Sequence, residues 1–463
     1  MRKGKFVCLL AATAAFLLMG CSGSVETGPV PTITPRPTVT PAPTPTPVVI
    51  VETPGTGEEE EKKETVYDTK KFKEYYETEK KLPQLKEAYQ SNFECALDVL
   101  QIDVTDEKRK ELVLSQFNAL GVKEDLSPKV LMDYEATRAS GDLSKIVLDF
   151  SGADVILKFA QENKLTVRGP RLITADTPEW AFTKNFDEAQ VTEGTDEEGK
   201  AITVIEFADP EVVTARMENY IKDVMEYCNT NYPGVVVSWQ VLDEPITFNS
   251  SHEKRYSTNN WLNGIGDEYL VKACVQARAC ATEGQKLFLS QDSLDESTTL
   301  TPALTLINLL KEQNLIDGIA IQAHYDVNSP NIYGMEDMMK ALAATGLELH
   351  FSEFYVSSNK NSDEDLDKTD EERYQNGVKR YKNLMTRILN YEVKSGYDII
   401  SITFDGLTND TCSLNQPAEY YDTSVGAIVV GVRAVSFPYF FDAELNVLDT
   451  FFAALGDVSI KAY

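Results

Sequence analysis

The sequence predicts a (β/α)8 TIM barrel of the α/β class, and three observations carry that expectation. From about residue 83 onward, amphipathic helical stretches alternate with short apolar runs. Gly or Pro stands at the joints between them, as parallel βα units require. No Gly-rich dinucleotide fingerprint follows any apolar run, which weakens the open doubly wound alternative.

The units follow in order along the chain. KIVLDFSGADVILKFAQEN has apolar residues at helical spacing, and LTVRGPRLI behind it is strand-like. VVTARMENYIKDVMEYCNTNYPG is an amphipathic helix with a Pro-Gly stop. It feeds VVVSWQVL, a β-branched apolar run ending in Asp243 and Glu244 before Pro245 stops the pairing. EYLVKACVQARACATEG precedes KLFLSQD, and TLTPALTLINLLKEQN precedes GIAIQAHY. MEDMMKALAATG leads to LELHFSEFYV, and NGVKRYKNLMTRILNYEVKSG leads to YDIISITFDGL. About eight such units in a chain of this length suit a closed barrel.

Lys plus Arg number 44 against 73 Asp plus Glu, a formal charge of −29. That field repels nucleic acid and anionic headgroups but leaves neutral polysaccharides unaffected. Five cysteines lie in the body (Cys95, Cys228, Cys274, Cys280 and Cys412), scattered and without a CxxC pair. They read as small buried residues rather than zinc ligands or a disulfide framework.

Residues 1–20 combine a basic start with an apolar stretch too short to span a membrane comfortably. Leu18-Met19-Gly20-Cys21 resembles a bacterial lipobox, which implies lipidation of Cys21 after export and anchoring at the outer face of the membrane. Residues 21–64 form a Thr/Pro-rich and then acidic linker that cannot build a core. Residues 65–82 read as a charged helical lead-in, and 83–463 as the barrel.

In such barrels, chemistry sits where strands run into the following loops. Those positions hold Asp243 and Glu244, then Gln322 and His324, then Glu353. Two acids at different strand ends suit glycosidic bond cleavage. One gives a proton to the leaving oxygen while the other attacks the anomeric carbon or activates water. In the retaining arrangement the two carboxyls stand roughly 5–5.5 Å apart. No metal or organic cofactor is implied. Trp180, Tyr325 and Phe404 are candidate sugar platforms, although any of them could equally be core. His350 lies an odd number of residues from Glu353 and on a regular strand would face the other way.

From about Leu85 onward the chain resembles the family 10 glycoside hydrolases, the endo-β-1,4-xylanase family of retaining barrels. LKEAYQSNFECALDV is similar to that family's opening helix and first strand, and WLNGIGDEYLVKACVQARA to a later helix. WQVLDEPI stands where the family has Trp-Asp-Val-Val-Asn-Glu-Ala, and GIAIQAHY resembles its Gly-Ile-Gly-Leu-Gln-x-His strand. LELHFSEFYV resembles Ile-Thr-Glu-Leu-Asp, and PYFFDAELNV the closing Leu-Leu-Phe-Asp segment. The resemblance implies that Glu244 is the acid/base and Glu353 the nucleophile, with Gln322 and His324 beside it.

The departures cluster on the glycone side. The family's Gly-His, Trp-His and Gln become Gly169-Pro170, Thr174-Ala175 and Asp176. Its Thr-x-Glu-Asn-x-Met-Lys becomes Gly121 through Ser127, so the Lys and Asn that grip sugar hydroxyls are missing from their places. A late Trp-Gly is replaced by Phe404 and then Asp405-Gly406, and the Asn before the acid/base becomes Asp243, which is expected to raise the pKa of Glu244. The expected function is a retaining hydrolase of a β-1,4-linked plant polysaccharide such as xylan. A glycan-binding lipoprotein on a decayed scaffold, and a transglycosylase, stand as alternatives.

Overall fold

The computed structural model describes residues 65–460 apart from 90–92, 196–200, 248–255, 258, 361–362, 396–398 and 423–426. Residues 1–64, which hold the leader, Cys21 and the linker, lie outside the described residues.

The main sheet is parallel throughout and carries nine strand segments, two of which are halves of one interrupted strand. This leaves eight barrel strands. In chain order they are β1 Glu94–Asp98, β2 Ala119–Gly121, β3 Thr166–Val167 continuing in Arg171–Ile173, β4 Ser238–Asp243, β5 Lys286–Gln291, β6 Gly318–Asp326, β7 Glu348–Ser357 and β8 Ile399–Phe404. Each pairs with its sequence neighbours, and β8 returns to β1. The ring closes through β3. Its first half pairs with β2 and bonds Val235 and Val237, and its second half pairs with β4. Gly169 spans the break at φ +67°, where a Cβ would come within 2.5 Å of the Gln240 carboxamide.

A helix follows each strand: α1 Glu107–Gln116, α2 Ser151–Asn163, α3 Pro210–Asn231, α4 Tyr269–Cys280, α5 Ser297–Glu312, α6 Ile332–Ala343, α7 Asp370–Ser395 and α8 Asp449–Ala453. α3 shows why they form. Pro210 opens its first turn, and Val213, Met217, Tyr220, Ile221, Val224 and Cys228 line one face that is buried on the barrel. Arg216 lies on the same face, fully buried. It donates to the carbonyls of Ala181, Thr183 and Leu143 and lies over the Phe186 ring, pinning the loop after β3. α2 starts later than the periodicity of KIVLDFSG suggests, because Leu148 forms an antiparallel bridge with Met132 and the Asp149 N–H donates to Leu131 O at 2.8 Å, which holds those residues out of the helix.

The lead-in packs on the far end of the chain. Thr65–Asp68 pairs antiparallel with Asp457–Ile460, and the following helix, Thr69–Glu79, sets Lys73 2.6 Å from Asp449. Cys95, Cys228, Cys274 and Cys412 are buried as free thiols, and Cys280 is partly buried. No described helix is long and apolar enough to cross a membrane.

Candidate active site

Glu244 directly follows β4 and Glu353 lies in the second half of β7, and both hold a left-handed backbone, with φ of +45° and +52°. That conformation is costly for a residue with a Cβ, and it recurs where a fold must aim a side chain. At Glu244 the turn is clamped from β5. The Glu244 N–H donates to Ser290 O at 3.0 Å, and the Gln291 carboxamide bonds both the N–H and the carbonyl of Ile246. At Glu353 the register with β8 slips between Phe351 and Phe354. This bulge lets Glu353 and His350 line the same small interior space, so His350 does not face away as strand alternation predicts.

Glu353 is almost wholly buried against two cations and a histidine. Oε2 lies 2.8 Å from Lys123 Nζ and 3.1 Å from His324 Nε2, while Oε1 is 3.7 Å from Arg171 Nη1. Burial pushes its pKa up, but the His324 hydrogen bond and the Lys123 and Arg171 charges prevail and hold it well below the usual carboxylate range. Glu244 is exposed at the mouth. The surrounding walls and then the Asp292 carboxylate raise its pKa, and the Glu353 charge adds to the rise. The Glu353 charge thus reaches Glu244, and the two carboxyls are driven in opposite directions.

Asp243 is not the anion that raises Glu244. It is bound by Arg171 Nη1 at 3.1 Å and by Gln322 Nε2 at 2.7 Å, and burial drives it up to about 7. Gln322 also donates to Ser290 Oγ at 3.0 Å, so it orients Asp243 rather than touching Glu353. His324 fulfils its expected place beside Glu353. Its ring stacks on Tyr355, and its Nδ1 is 4.0 Å from Asp292. Burial lowers its pKa, yet the contact with Glu353 leaves it raised overall. Asp176 is exposed at the mouth, accepts from Thr174 Oγ1, and adds to the field on Arg171 and Asp243.

The three aromatic platforms need correction. Phe404 is buried against Phe117, Phe354 and Phe440. Tyr325 is buried edge-on to Phe354, and Trp180 packs edge-on to Tyr134 and Phe186. Their faces are spent on core packing, which composition cannot distinguish from an open platform.

Sequence reasoning passed over Lys123, Arg171 and Asp98. Lys123 follows a strand of only three residues, too short to be read as a strand. Arg171 is a lone charge inside an otherwise apolar RLI, a signal that was available. Asp98 ends the ECALD strand as Asp243 ends its own, and burial raises it to about 7. Lys123 also bonds Asp405 at 3.0 Å, and Asp405 accepts from the Tyr439 hydroxyl at 2.7 Å. The loop after β2 therefore does bring a lysine to Glu353, from a different position than the family pattern has it. A cleft of about 200 Å³ opens beside it, lined by Leu100, Lys123, Glu124, Asp405, Thr411 and Tyr439.

The family model Glycosyl hydrolase family 10 matches residues 83–453. The chain belongs to glycosyl hydrolase family 10. Similar family 10 proteins include a putative endo-1,4-beta-xylanase of Caldicellulosiruptor saccharolyticus, 29% identical over 62% of this chain and 87% of that protein. Endo-1,4-beta-xylanase B of Butyrivibrio fibrisolvens is 25% identical over 72% of this chain, which spans about half of that relative's length (48%). The structure of a xylanase from Paenibacillus barcinonensis superposes with a TM-score of 0.64 at 21% identity, covering 81% of this chain and 99% of that one. An endo-1,4-beta-xylanase from Caldicellulosiruptor owensensis gives 0.61 at 24% identity, with the same coverage. These superpositions establish the family 10 barrel fold.

Proposed function

We propose that this chain hydrolyses a β-1,4-linked xylan with retention of configuration. One observation carries the reading: a buried carboxylate, held ionised by Lys123, Arg171 and a hydrogen bond with His324, acts electrostatically on an exposed carboxyl whose pKa is raised. Among the described residues Glu353 Oε1 makes no hydrogen bond, whereas Oε2 is fixed by Lys123 and His324, so Oε1 is the attacking atom. It forms a bond to the anomeric carbon as the bond to the leaving oxygen breaks, and that oxygen takes the proton of Glu244. Water then attacks the ester and yields its proton to Glu244, and Glu353 departs with its electron pair restored. Family membership and the xylanase names of the relatives support xylan as the substrate. The lipobox resemblance supports export and anchoring at the outer face of a bacterial membrane through Cys21.

Incubating the soluble body with xylan, β-glucan and mannan, with a reducing-end assay, tests the reading. Release from xylan is expected from the wild type and none from Glu353→Ala, with the β-anomer appearing first by NMR. Equal release from both proteins removes Glu353 from its role. No release, combined with xylan retarding the protein in an affinity gel, establishes a binding protein instead.

A further inference from the structure

We propose that Asp405 is a standby counter-ion that carries Lys123 while Glu353 is esterified, an inference that rests on the hydrolase reading and deepens it. The Lys123 ammonium has two anionic partners, Glu353 Oε2 at 2.8 Å and Asp405 Oδ1 at 3.0 Å, and both side chains are over nine-tenths buried. In the resting site Glu353 is shared among Lys123, Arg171 and His324, so Asp405 takes part of the ammonium's charge there, and burying it is costly unless it stays paired. The covalent step makes the need for it acute. When Glu353 Oε1 bonds the anomeric carbon, its negative charge vanishes and the proton of Glu244 leaves with the departing oxygen. Lys123 would then face a neutral ester inside the barrel with no anion, had Asp405 not been in place.

Asp405 is built to stay where it is. Its Oδ2 accepts from Tyr439 OH at 2.7 Å, its backbone N–H donates to Phe354 O at 3.1 Å, and Gly406 next to it leaves room for the Tyr439 ring, which a Cβ would meet at 2.5 Å. The bond to Phe354 O ties Asp405 to the residue after the nucleophile, so the two carboxylates hold a fixed separation with the ammonium between them. Asp98, the third acid of this cluster, forms no ion pair with Lys123 among the described residues. It is buried to the point of holding a proton near neutrality.

The energetic sign follows. Without Asp405, Lys123 pairs more tightly with ionised Glu353 and opposes every state in which that charge is lost. Glycosylation slows. Deglycosylation, which restores the charge, speeds up. A merely structural residue would depress both steps together. Lys123 and Asp405 are positioning residues here, acting through Glu353.

The test uses a 2,4-dinitrophenyl xylobioside for burst kinetics and its 2-deoxy-2-fluoro analogue to trap the glycosyl-enzyme, followed by intact mass. The proteins are the wild type, Asp405→Asn, Lys123→Met and the double variant. Asp405→Asn is expected to lower the glycosylation rate by about tenfold or more and to speed turnover of the trapped adduct, so the burst shrinks. The double variant, which buries no unpaired charge, is expected to match the partition of Lys123→Met. That comparison stands even if Asp405→Asn alone does not fold. Equal slowing of both steps in Asp405→Asn, or a double variant that departs from Lys123→Met, overturns the inference and leaves the hydrolase reading intact. A wild type that neither traps nor hydrolyses the probe overturns both.

Discussion

Arg171 Nη1 stands 3.1 Å from Asp243 Oδ2, joining β3 to the end of β4 one residue before the acid/base candidate. The pair is largely but not wholly buried, and the other oxygen of Asp243 is occupied by Gln322. Removing only the cation strands a carboxylate, which costs far more than the intact pair contributes. Arg171→Met is therefore expected to lose about 3–5 kcal/mol of stability above pH 8, measured by urea unfolding. Burial has already lifted Asp243 to about 7, and losing Arg171 lifts it further, so the loss should shrink as pH falls and Asp243 takes a proton. Arg171→Met with Asp243→Asn should recover most of the deficit.

The two reacting acids fix the shape of the pH profile. Glu244 must carry a proton to act, and its raised pKa places the alkaline limb of kcat/KM above the ordinary carboxylate range. Glu353 is held low, so the acid limb falls below that range. Asp292 is the leading charge that lifts Glu244. Asp292→Asn is expected to move the alkaline limb to lower pH, as followed by initial rates, and an unmoved limb would remove Asp292 from this role.

Backbone strain at Glu244 predicts a trade between activity and stability. A glycine accepts φ near +45° without penalty, whereas a residue with a Cβ does not. Glu244→Gly is expected to abolish turnover of unactivated xylan while raising unfolding free energy by about 1 kcal/mol. A destabilised Glu244→Gly would show that the turn carries no such cost.

His350 should leave a signature in acid. It is buried, its Nε2 meets Thr403 Oγ1 at 2.8 Å, and burial lowers its pKa from 6.5 to about 3. Between those values the unfolded chain binds a proton that the folded chain refuses, so stability falls as pH falls through that window. His350→Gln should flatten this slope between about pH 6.5 and about pH 3 in urea midpoints.

Long apolar strands made the barrel legible. Glu244 directly follows β4, and His324 and Glu353 lie in the second halves of β6 and β7. What stayed hidden followed from short or broken strands. β2 is three residues long and β3 breaks at Gly169, so Lys123 and Arg171 had no strand end to mark them. Periodicity also assumes an unbroken pleat, and the slip between Phe351 and Phe354 overturned the facing assigned to His350. The aromatic residues failed for a different reason. Phe404 and Tyr325 have the chemistry of a sugar platform, but which face is open depends on neighbours far away in sequence.

The ladder between Thr65–Asp68 and Asp457–Ile460 brings the first and last described strands side by side. A short linker could therefore weld them, and the polypeptide could be reopened at an exposed loop between two other βα units. Such a circularly permuted barrel should still fold, because the ring of strands has no privileged beginning.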